Sequence, residues 1–164
     1  WVLADTHFFL HDIDAFLTEA EVAIRLNPNN ATIISHLGLF ILYVGEWERG
    51  VKLMDKAVQL NPHHPAWYHW GYHNYYYHKR NYEEALKAAQ QIGLPNVFWT
   101  PLCLAEVYAQ LGRQTEARAA AARIAELYPG FNLRVARREM EKFNFTEEHI
   151  RHRLDGLRKA GVSE

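Results

Sequence analysis

The sequence predicts an all-α fold in which antiparallel helix pairs stack into a solenoid and C-terminal capping helices follow. Two observations predict it: self-similarity with a period of roughly 34 residues, and helical spacing of apolar residues within each period. A helix pair of that length buries only one of its sides, so consecutive units must stack to hide the rest. The 164-residue chain, 49% hydrophobic and 23% charged, is long enough for one such domain.

Three series of residues recur with this period. One is a proline near the end of each unit, and the other two are small or apolar positions inside the helices. The series are Pro28, Pro62, Pro95 and Pro129; Phe16, Gly50, Ala85 and Ala117; and Ala4, Gly38, His73 and Ala105. Three concordant series are unlikely to arise by chance, and they define successive units of one array.

Within a unit, apolar residues recur three and four positions apart on both sides of a turn. In residues 31–64 the first run includes Ile34, Leu37 and Ile41, and the second includes Met54 and Val58. This predicts two helices around one turn, with a proline that ends the second helix because it cannot donate a backbone hydrogen bond. The predicted turns are His11–Ile13, Gly45–Trp47, Arg80–Tyr82 and Gly112–Gln114.

The third unit is divergent. Its predicted helices are Ala66 to His78 and Tyr82 to Ile92, and His73 occupies a slot that is small in the other units. The second helix carries small residues at Ala85, Ala88 and Ala89. We therefore expect bulky rings on one helix to fill the space that the other leaves.

Two further helices are predicted after Pro129. The first runs from Asn132 to Phe143, and the second is capped by Thr146 and ends at Gly161. Ile150, Leu154 and Leu157 give the second helix an apolar stripe. A helix with one apolar and one charged face suits the end of a solenoid, because the last unit would otherwise expose its apolar side.

Composition excludes several classes of protein. A net charge of -1 provides no overall field for nucleic acid or anionic lipid, and Cys103, the only cysteine, cannot form an internal disulfide. The longest apolar run, Leu37–Val44, is far shorter than the ~20 residues of a membrane helix. We expect a cytoplasmic protein without a cofactor. Because the chain begins at Trp1 within an apolar pattern, we also expect it to be a fragment of a longer protein.

The repeated pattern resembles that of the tetratricopeptide repeat (TPR) family. Residues 31–64 match it at Leu37-Gly38, Gly45, Trp47, Gly50, Ala57, Leu60 and Pro62, and residues 98–129 match it at Leu104-Ala105, Tyr108, Gly112, Ala117 and Pro129. The resemblance implies a right-handed superhelical solenoid. Its units would be a truncated first repeat (1–30), three further repeats (31–64, 65–97 and 98–130), of which the second is divergent, and capping helices (131–164).

The TPR resemblance also implies a peptide-binding groove on the concave face, lined by the first helix of each unit. In this sequence the corresponding positions are rich in tryptophan and tyrosine, which commonly anchor interfaces. They are Trp67, Trp70, Asn74, Tyr77 and His78; Thr32, Ser35, Leu39, Leu42 and Tyr43; and Trp99, Leu102, Glu106 and Gln110. These positions contain no lysine or arginine, so we expect an apolar or mixed peptide rather than one held by its carboxylate. Packing against adjacent units is the alternative role of Trp67 and Trp99.

The closing sequence, FTEEHIRHRLDGLRKAGVSE, resembles TPR tails of bacterial class III adenylate or guanylate cyclases and related signalling proteins. The resemblance implies that a catalytic domain would lie upstream and that this chain is its regulatory module. Self-association through an exposed apolar end, Trp1 to Leu10, is a further expectation.

Three functions compete at this level. The first is a non-catalytic scaffold that binds a protein or peptide in the aromatic groove. The second is a metal-binding or hydrolytic protein using His69 and His73, which lie four apart on one helical face but have no third ligand at a diagnostic distance. Buried histidines bonded to the hydroxyls of Tyr72 or Tyr76 are the alternative reading. The third is an RNA-binding helical repeat, which the scarcity of basic residues in the groove disfavours.

Overall fold

A computed structural model describes residues 1–164, in which ten α-helices form and no β-strand is present. The helices are α1 (Val2–Phe9), α2 (Ile13–Leu26), α3 (Ala31–Tyr43), α4 (Trp47–Leu60), α5 (His69–His78), α6 (Tyr82–Gln91), α7 (Trp99–Gln110), α8 (Gln114–Leu127), α9 (Leu133–Lys142) and α10 (Glu147–Lys159). A 3₁₀ turn, Ala66–Tyr68, precedes α5. The first eight helices pack as four consecutive hairpins, so the predicted solenoid of antiparallel helix pairs is confirmed.

The turn of each hairpin has the same backbone geometry. One residue in each turn adopts a left-handed conformation: His11 (φ 60°), Gly45 (φ 96°), Arg80 (φ 58°) and Gly112 (φ 72°). These residues open the four predicted turns. A left-handed residue just after a helix reverses the chain and lets the amides that follow bond to the last carbonyls of the helix. The spacing of the turns therefore sets the spacing of the hairpins.

Small residues allow the two helices of a hairpin to approach closely. A Cβ atom on Gly50 of α4 would lie 2.8 Å from the carbonyl oxygen of Gly38 on α3, which is too close for any side chain. In the third hairpin, His73 replaces the small residue and is fully buried. The facing helix, α6, has the small residues Ala85, Ala88 and Ala89 buried. A large side chain on one helix thus faces small side chains on the other, as expected from the sequence.

Two helix boundaries differ from the predictions by more than one residue. The first helix of the third unit begins as a 3₁₀ turn, and α5 starts only at His69, because Pro65 holds the preceding chain extended at ψ 144°. Helix α10 ends at Lys159, two residues before the predicted end, since Gly161 has φ 93° and leaves the helical region. No helix in the structure combines the length and the apolarity that crossing a membrane requires.

The C-terminal hairpin packs on the last unit and also reaches the units before it. Helix α10 packs mainly against α7, and the segment before it extends across the first helices of the other units. Within that segment, the side-chain amide of Asn144 donates to the carbonyl oxygen of Phe8 on α1 at 2.7 Å, and the ring of Phe145 stacks on that of Tyr43 on α3. The hairpin and the segment within it therefore contact the first helices of several units.

Candidate functional site

We call the face formed by α3, α5 and α7 the groove, and helix α10 lies on its α5 and α7 side. Thr146 caps α10 by accepting a hydrogen bond from the His149 amide, and two glutamates in the first turn complement the helix dipole. The residues of α10 that are buried are His149, Ile150, Arg153, Leu154, Gly156 and Leu157. The predicted apolar stripe thus faces inward, together with an arginine, a histidine and a glycine.

The contact between α10 and the groove is closest at Gly156. A Cβ atom on this residue would clash with the hydroxyl oxygen of Tyr77 and would lie 2.9 Å from Cβ of Glu106. Only a residue without a side chain fits there. The absence of a side chain at position 156 therefore lets the backbone of α10 approach both α5 and α7.

A buried ion cluster lies at the centre of this contact. Nε of Arg153 donates to Oε2 of Glu106 at 2.9 Å, and Nη2 lies 2.7 Å from Oε1. Nε2 of His73 lies 2.9 Å from the same Oε1, and all three side chains are withdrawn from solvent. Burying charges is costly unless they are paired and hydrogen-bonded, and here one carboxylate pairs with two basic groups.

The geometry of His73 indicates that it is protonated. Its Nδ1 faces the carbonyl oxygen of Ala85 at 3.0 Å, and its Nε2 faces the carboxylate of Glu106, so both ring nitrogens face acceptors. Burial alone lowers the pKa of His73, but the neighbouring Cys103 and Glu106 outweigh it and raise the pKa to about 10. The cluster is accordingly a His⁺–Glu⁻–Arg⁺ triad contributed by α5, α7 and α10.

Asn74 extends the cluster to a second histidine of α10. Its Oδ1 accepts from Nη1 of Arg153 at 3.0 Å and contacts Nε2 of His149 at 3.2 Å. Because Oδ1 can only accept, His149 carries its proton on Nε2. Nδ1 of His149 is buried and has no hydrogen-bond partner. Burial, followed by the charge of Arg153, holds the pKa of His149 well below its usual value, so this ring is neutral.

A polar edge closes the groove beyond the cluster. The hydroxyl of Tyr77 donates to the carbonyl oxygen of His152 at 3.4 Å, and the amide of Gln110 donates to Asp155 at 3.1 Å. The ring of His152 contacts the hydroxyl of Tyr82 at 2.8 Å. These contacts hold the outer side of α10 against α5, α6 and α7.

On the other side of the cluster the groove remains partly open. A cavity of about 240 Å³ lies between α3, α5 and α7 and the segment that precedes α10. Aromatic and aliphatic side chains supply most of its lining. The lining residues are His36, Leu39, Phe40, Tyr43, Trp67, Trp70, Asn74, Trp99, Cys103, Phe143, Phe145 and Arg153.

The structure places the predicted groove residues in four environments. Leu39, Tyr43, Trp67, Trp70, Trp99 and Asn74 line the cavity, and Asn74 also contacts α10 together with Tyr77, Glu106 and Gln110. Ser35 and Leu102 are buried, and the ring of His78 stacks on that of Trp47 at 4.0 Å. Most of these side chains therefore share one face, and α10 covers part of it.

His69 and His73 do not form the metal-binding pair that their spacing in the sequence suggested, nor does His73 bond to a tyrosine hydroxyl. His73 bonds to a backbone carbonyl and to Glu106, not to a tyrosine hydroxyl and not to a ligand shared with His69. The ring of His69 lies instead beside those of His64 and Tyr72. The side chains of His73, Cys103 and Glu106 have the spacing of a metal site, with ligand atoms within 4.8 Å of one another. Arg153 already places a cation there, with Nη2 3.5 Å from the sulfur of Cys103.

Sequence reasoning missed the residues that α10 and its preceding segment contribute. The repeat pattern does not assign Arg153, His149, Gly156 and Phe145 to the groove. One signal could have indicated the arginine: it lies on the apolar stripe between Ile150 and Leu157, where a charged side chain requires a buried partner. The other signal is the separation of 33 residues between His73 and Glu106, about one repeat, which places them side by side on adjacent units.

Comparison with known proteins shows the fold. No model of a protein family and no curated protein sequence matches this chain. Its structure is similar to a crystal structure of MamA, with a TM-score of 0.65 at 18% sequence identity, over 96% of this chain and 92% of the MamA chain. It is also similar to the MamA RS-1 ArsTM double mutant, with a TM-score of 0.66 at 14% identity, over 96% and 90% of the two chains. The chain accordingly has a TPR-like helical fold.

Proposed function

We propose that this chain is a non-catalytic protein-interaction scaffold whose concave groove binds a helical segment of a partner protein. The observation that carries the proposal is the position of α10, whose Arg153 is buried in that groove against Glu106 and Asn74. A groove that holds one amphipathic helix through buried polar and apolar contacts has the chemistry to hold a similar helix from another protein.

The contacts of α10 define the partner helix that fits best. It carries an arginine on its apolar face and a glycine three positions later, as Arg153 and Gly156 do. An aromatic residue ahead of the helix would take the place of Phe145 between Tyr43 and Trp99. Such a segment competes with α10 for the groove, so binding is coupled to displacement of α10.

A peptide of residues 145–164 provides a direct test. In an Arg153→Glu variant of the full chain, the new carboxylate faces Glu106, and we expect α10 to leave the groove. The fluorescent peptide should then bind this variant saturably and should bind the unmodified chain at least about tenfold more weakly, because α10 competes there. The matched control is Arg151→Glu, an exposed position on α10.

Two results would contradict the groove as the binding surface. One is a folded Arg153→Glu chain that does not bind the peptide. The other is that a peptide with alanine at position 153 binds the Arg153→Glu chain as tightly as the original peptide does. We also expect Trp70→Ala to weaken peptide binding, because Trp70 lines the apolar part of the groove. A folded Trp70→Ala variant that binds unchanged would remove this residue from the site.

We further propose that the chain acts as a regulatory module of a larger signalling protein, as the resemblance to cyclase tails implies. The upstream coding sequence tests this directly, since it either encodes a catalytic domain or does not.

Self-association is a separate proposal, supported by α1. Its side chains Val2, Leu3 and Phe9, together with Leu10, are at least half exposed. Sedimentation of the unmodified chain and of Leu3→Glu would show whether these residues pair two copies.

A further inference from the structure

Three side chains with the chemistry of metal ligands converge in the buried ion cluster. The ligand atoms of His73, Cys103 and Glu106 lie within 4.8 Å of one another, and all three residues are buried. Cys103 and Glu106 are three positions apart on α7, so their side chains share one face of that helix. An imidazole nitrogen, a thiolate and a carboxylate oxygen are the three kinds of ligand that zinc takes from proteins.

The orientation of His73 is that of a metal-binding histidine. Its Nδ1 lies 3.0 Å from the carbonyl oxygen of Ala85, and its Nε2 lies 2.9 Å from Oε1 of Glu106. Histidines that bind a metal through one ring nitrogen almost always donate the other N–H to a carbonyl or carboxylate oxygen, which fixes the ring. The bond to Ala85 is made within the third hairpin, so it does not depend on α10.

The guanidinium of Arg153 takes the place of a metal ion in this cluster. Its Nη2 lies 2.7 Å from Oε1 of Glu106 and 3.5 Å from the sulfur of Cys103. The three metal-ligand side chains belong to α5 and α7, whereas the arginine belongs to α10. A metal ion and Arg153 therefore compete for the same oxygen and the same sulfur, and a metal ion can enter only when the arginine withdraws.

We propose that His73, Cys103 and Glu106 form a zinc site that opens when the arginine of α10 withdraws, so that zinc binding and docking of α10 exclude each other. Zinc accepts electron pairs from Nε2, the sulfur and a carboxylate oxygen, and the protons of Nε2 and of the thiol pass to water. A water molecule completes the tetrahedral coordination. Zinc then supplies the positive charge that Glu106 otherwise receives from α10. The site lies in the groove of the function proposed above, but its test needs no partner helix.

Cobalt(II) is a suitable probe, because it takes the same ligands as zinc and absorbs light when it is bound to a thiolate. Cys103 is the only cysteine, so a sulfur-to-cobalt charge-transfer band identifies this site although the chain has ten histidines. The variant Arg153→Ala of the full chain removes the competing cation. We expect it to bind cobalt saturably, with this band, at least about tenfold more tightly than the unmodified chain, where docked α10 leaves few molecules competent to bind.

Two further variants separate this site from metal binding at the surface. Arg153→Ala/Cys103→Ser exchanges the thiol for a hydroxyl of similar size, so it should lose the band and bind zinc at least about tenfold more weakly. Arg153→Ala/His63→Ala removes an exposed histidine outside the cluster and should bind as Arg153→Ala does. A folded Arg153→Ala chain without the band at saturating cobalt would overturn the proposal, and so would equal zinc binding by the two double variants.

The unmodified chain tests the exclusion of α10, and it decides the question if Arg153→Ala does not fold. Excess zinc should speed hydrogen exchange of the α10 amides between Ile150 and Leu157 at least about tenfold and leave α3 unchanged, because zinc traps the form in which α10 is undocked. In Cys103→Ser zinc should have no such effect. Unchanged protection of α10 in excess zinc would overturn the competition, and an equal effect in Cys103→Ser would place the metal elsewhere.

Discussion

Nη2 of Arg153 on α10 lies 2.7 Å from Oε1 of Glu106 on α7, and neither side chain is accessible to solvent. A second cation, His73 on α5, lies 2.9 Å from the same oxygen. Two repeat units and the C-terminal hairpin thus share one carboxylate. Removing any member of the triad leaves a buried charge with fewer partners, which is the most destabilising way to alter such a cluster.

Replacing Arg153 by methionine should destabilise the chain substantially. The substitution keeps most of the side-chain volume but removes the guanidinium, and breaking a buried pair costs about 3–5 kcal/mol. Urea denaturation gives the change in the free energy of unfolding. Arg151→Met is the control, because that arginine contacts Glu147 at the surface, where an ion pair contributes about 0–1 kcal/mol. Equal destabilisation by the two variants would show that Arg153 is not buried in the groove.

A side chain at position 156 should separate α10 from the groove without changing any charge. Valine there would collide with the hydroxyl of Tyr77 and with Glu106, so we expect the amides of α10 to exchange hydrogen at least tenfold faster. Arg151→Val places the same β-branched residue on the exposed face of α10 and should have little effect. Slow exchange along α10 in a folded Gly156→Val chain would be inconsistent with this packing.

His149 should make the chain less stable in acid. Its pKa in the folded state lies well below the usual value because of burial and the charge of Arg153, so the unfolded chain binds the proton first as the pH falls. Stability from this group is present above about pH 6.5 and is lost below it. The urea midpoint between pH 7 and pH 5 should therefore fall less in His149→Phe than in the unmodified chain. An identical fall would exclude His149 as a cause.

His73 should have the opposite dependence on pH. Burial lowers its pKa, but Cys103 and Glu106 raise it to about 10 overall, so the folded chain holds a proton that the unfolded chain loses near pH 6.5. Stability from this group is complete below pH 6.5 and is lost as the pH rises through 10. We expect His73→Gln to remove the decline between pH 7 and pH 10. Measured urea midpoints that decline equally in both proteins would contradict a protonated His73.

The sequence predicts the hairpins well because their determinants are local. The left-handed turns at Gly45 and Gly112 and the proline series recur at a fixed period, and each acts within a few residues of its own position. Asn132 and Thr146 cap α9 and α10 as the sequence indicates. The departures at Pro65 and Gly161 are shifts of a few residues at helix ends, where local signals are weakest.

The position of α10 was not predictable in the same way. Its stripe of Ile150, Leu154 and Leu157 shows which side is buried but not which surface covers it. The choice depends on contacts such as Arg153 with Glu106, 47 residues apart, which do not follow the repeat. A charged residue on an apolar stripe indicates a buried partner, but it does not identify that partner.

Hydrogen exchange of the unmodified chain tests the position of α10 most directly. If α10 is buried in the groove and held by the Arg153–Glu106 pair, its amides between Ile150 and Leu157 should be strongly protected from exchange, as those of α7 are. Exchange within seconds along α10, while α3 and α7 remain protected, would contradict this, because it would mean that the helix leaves the groove freely.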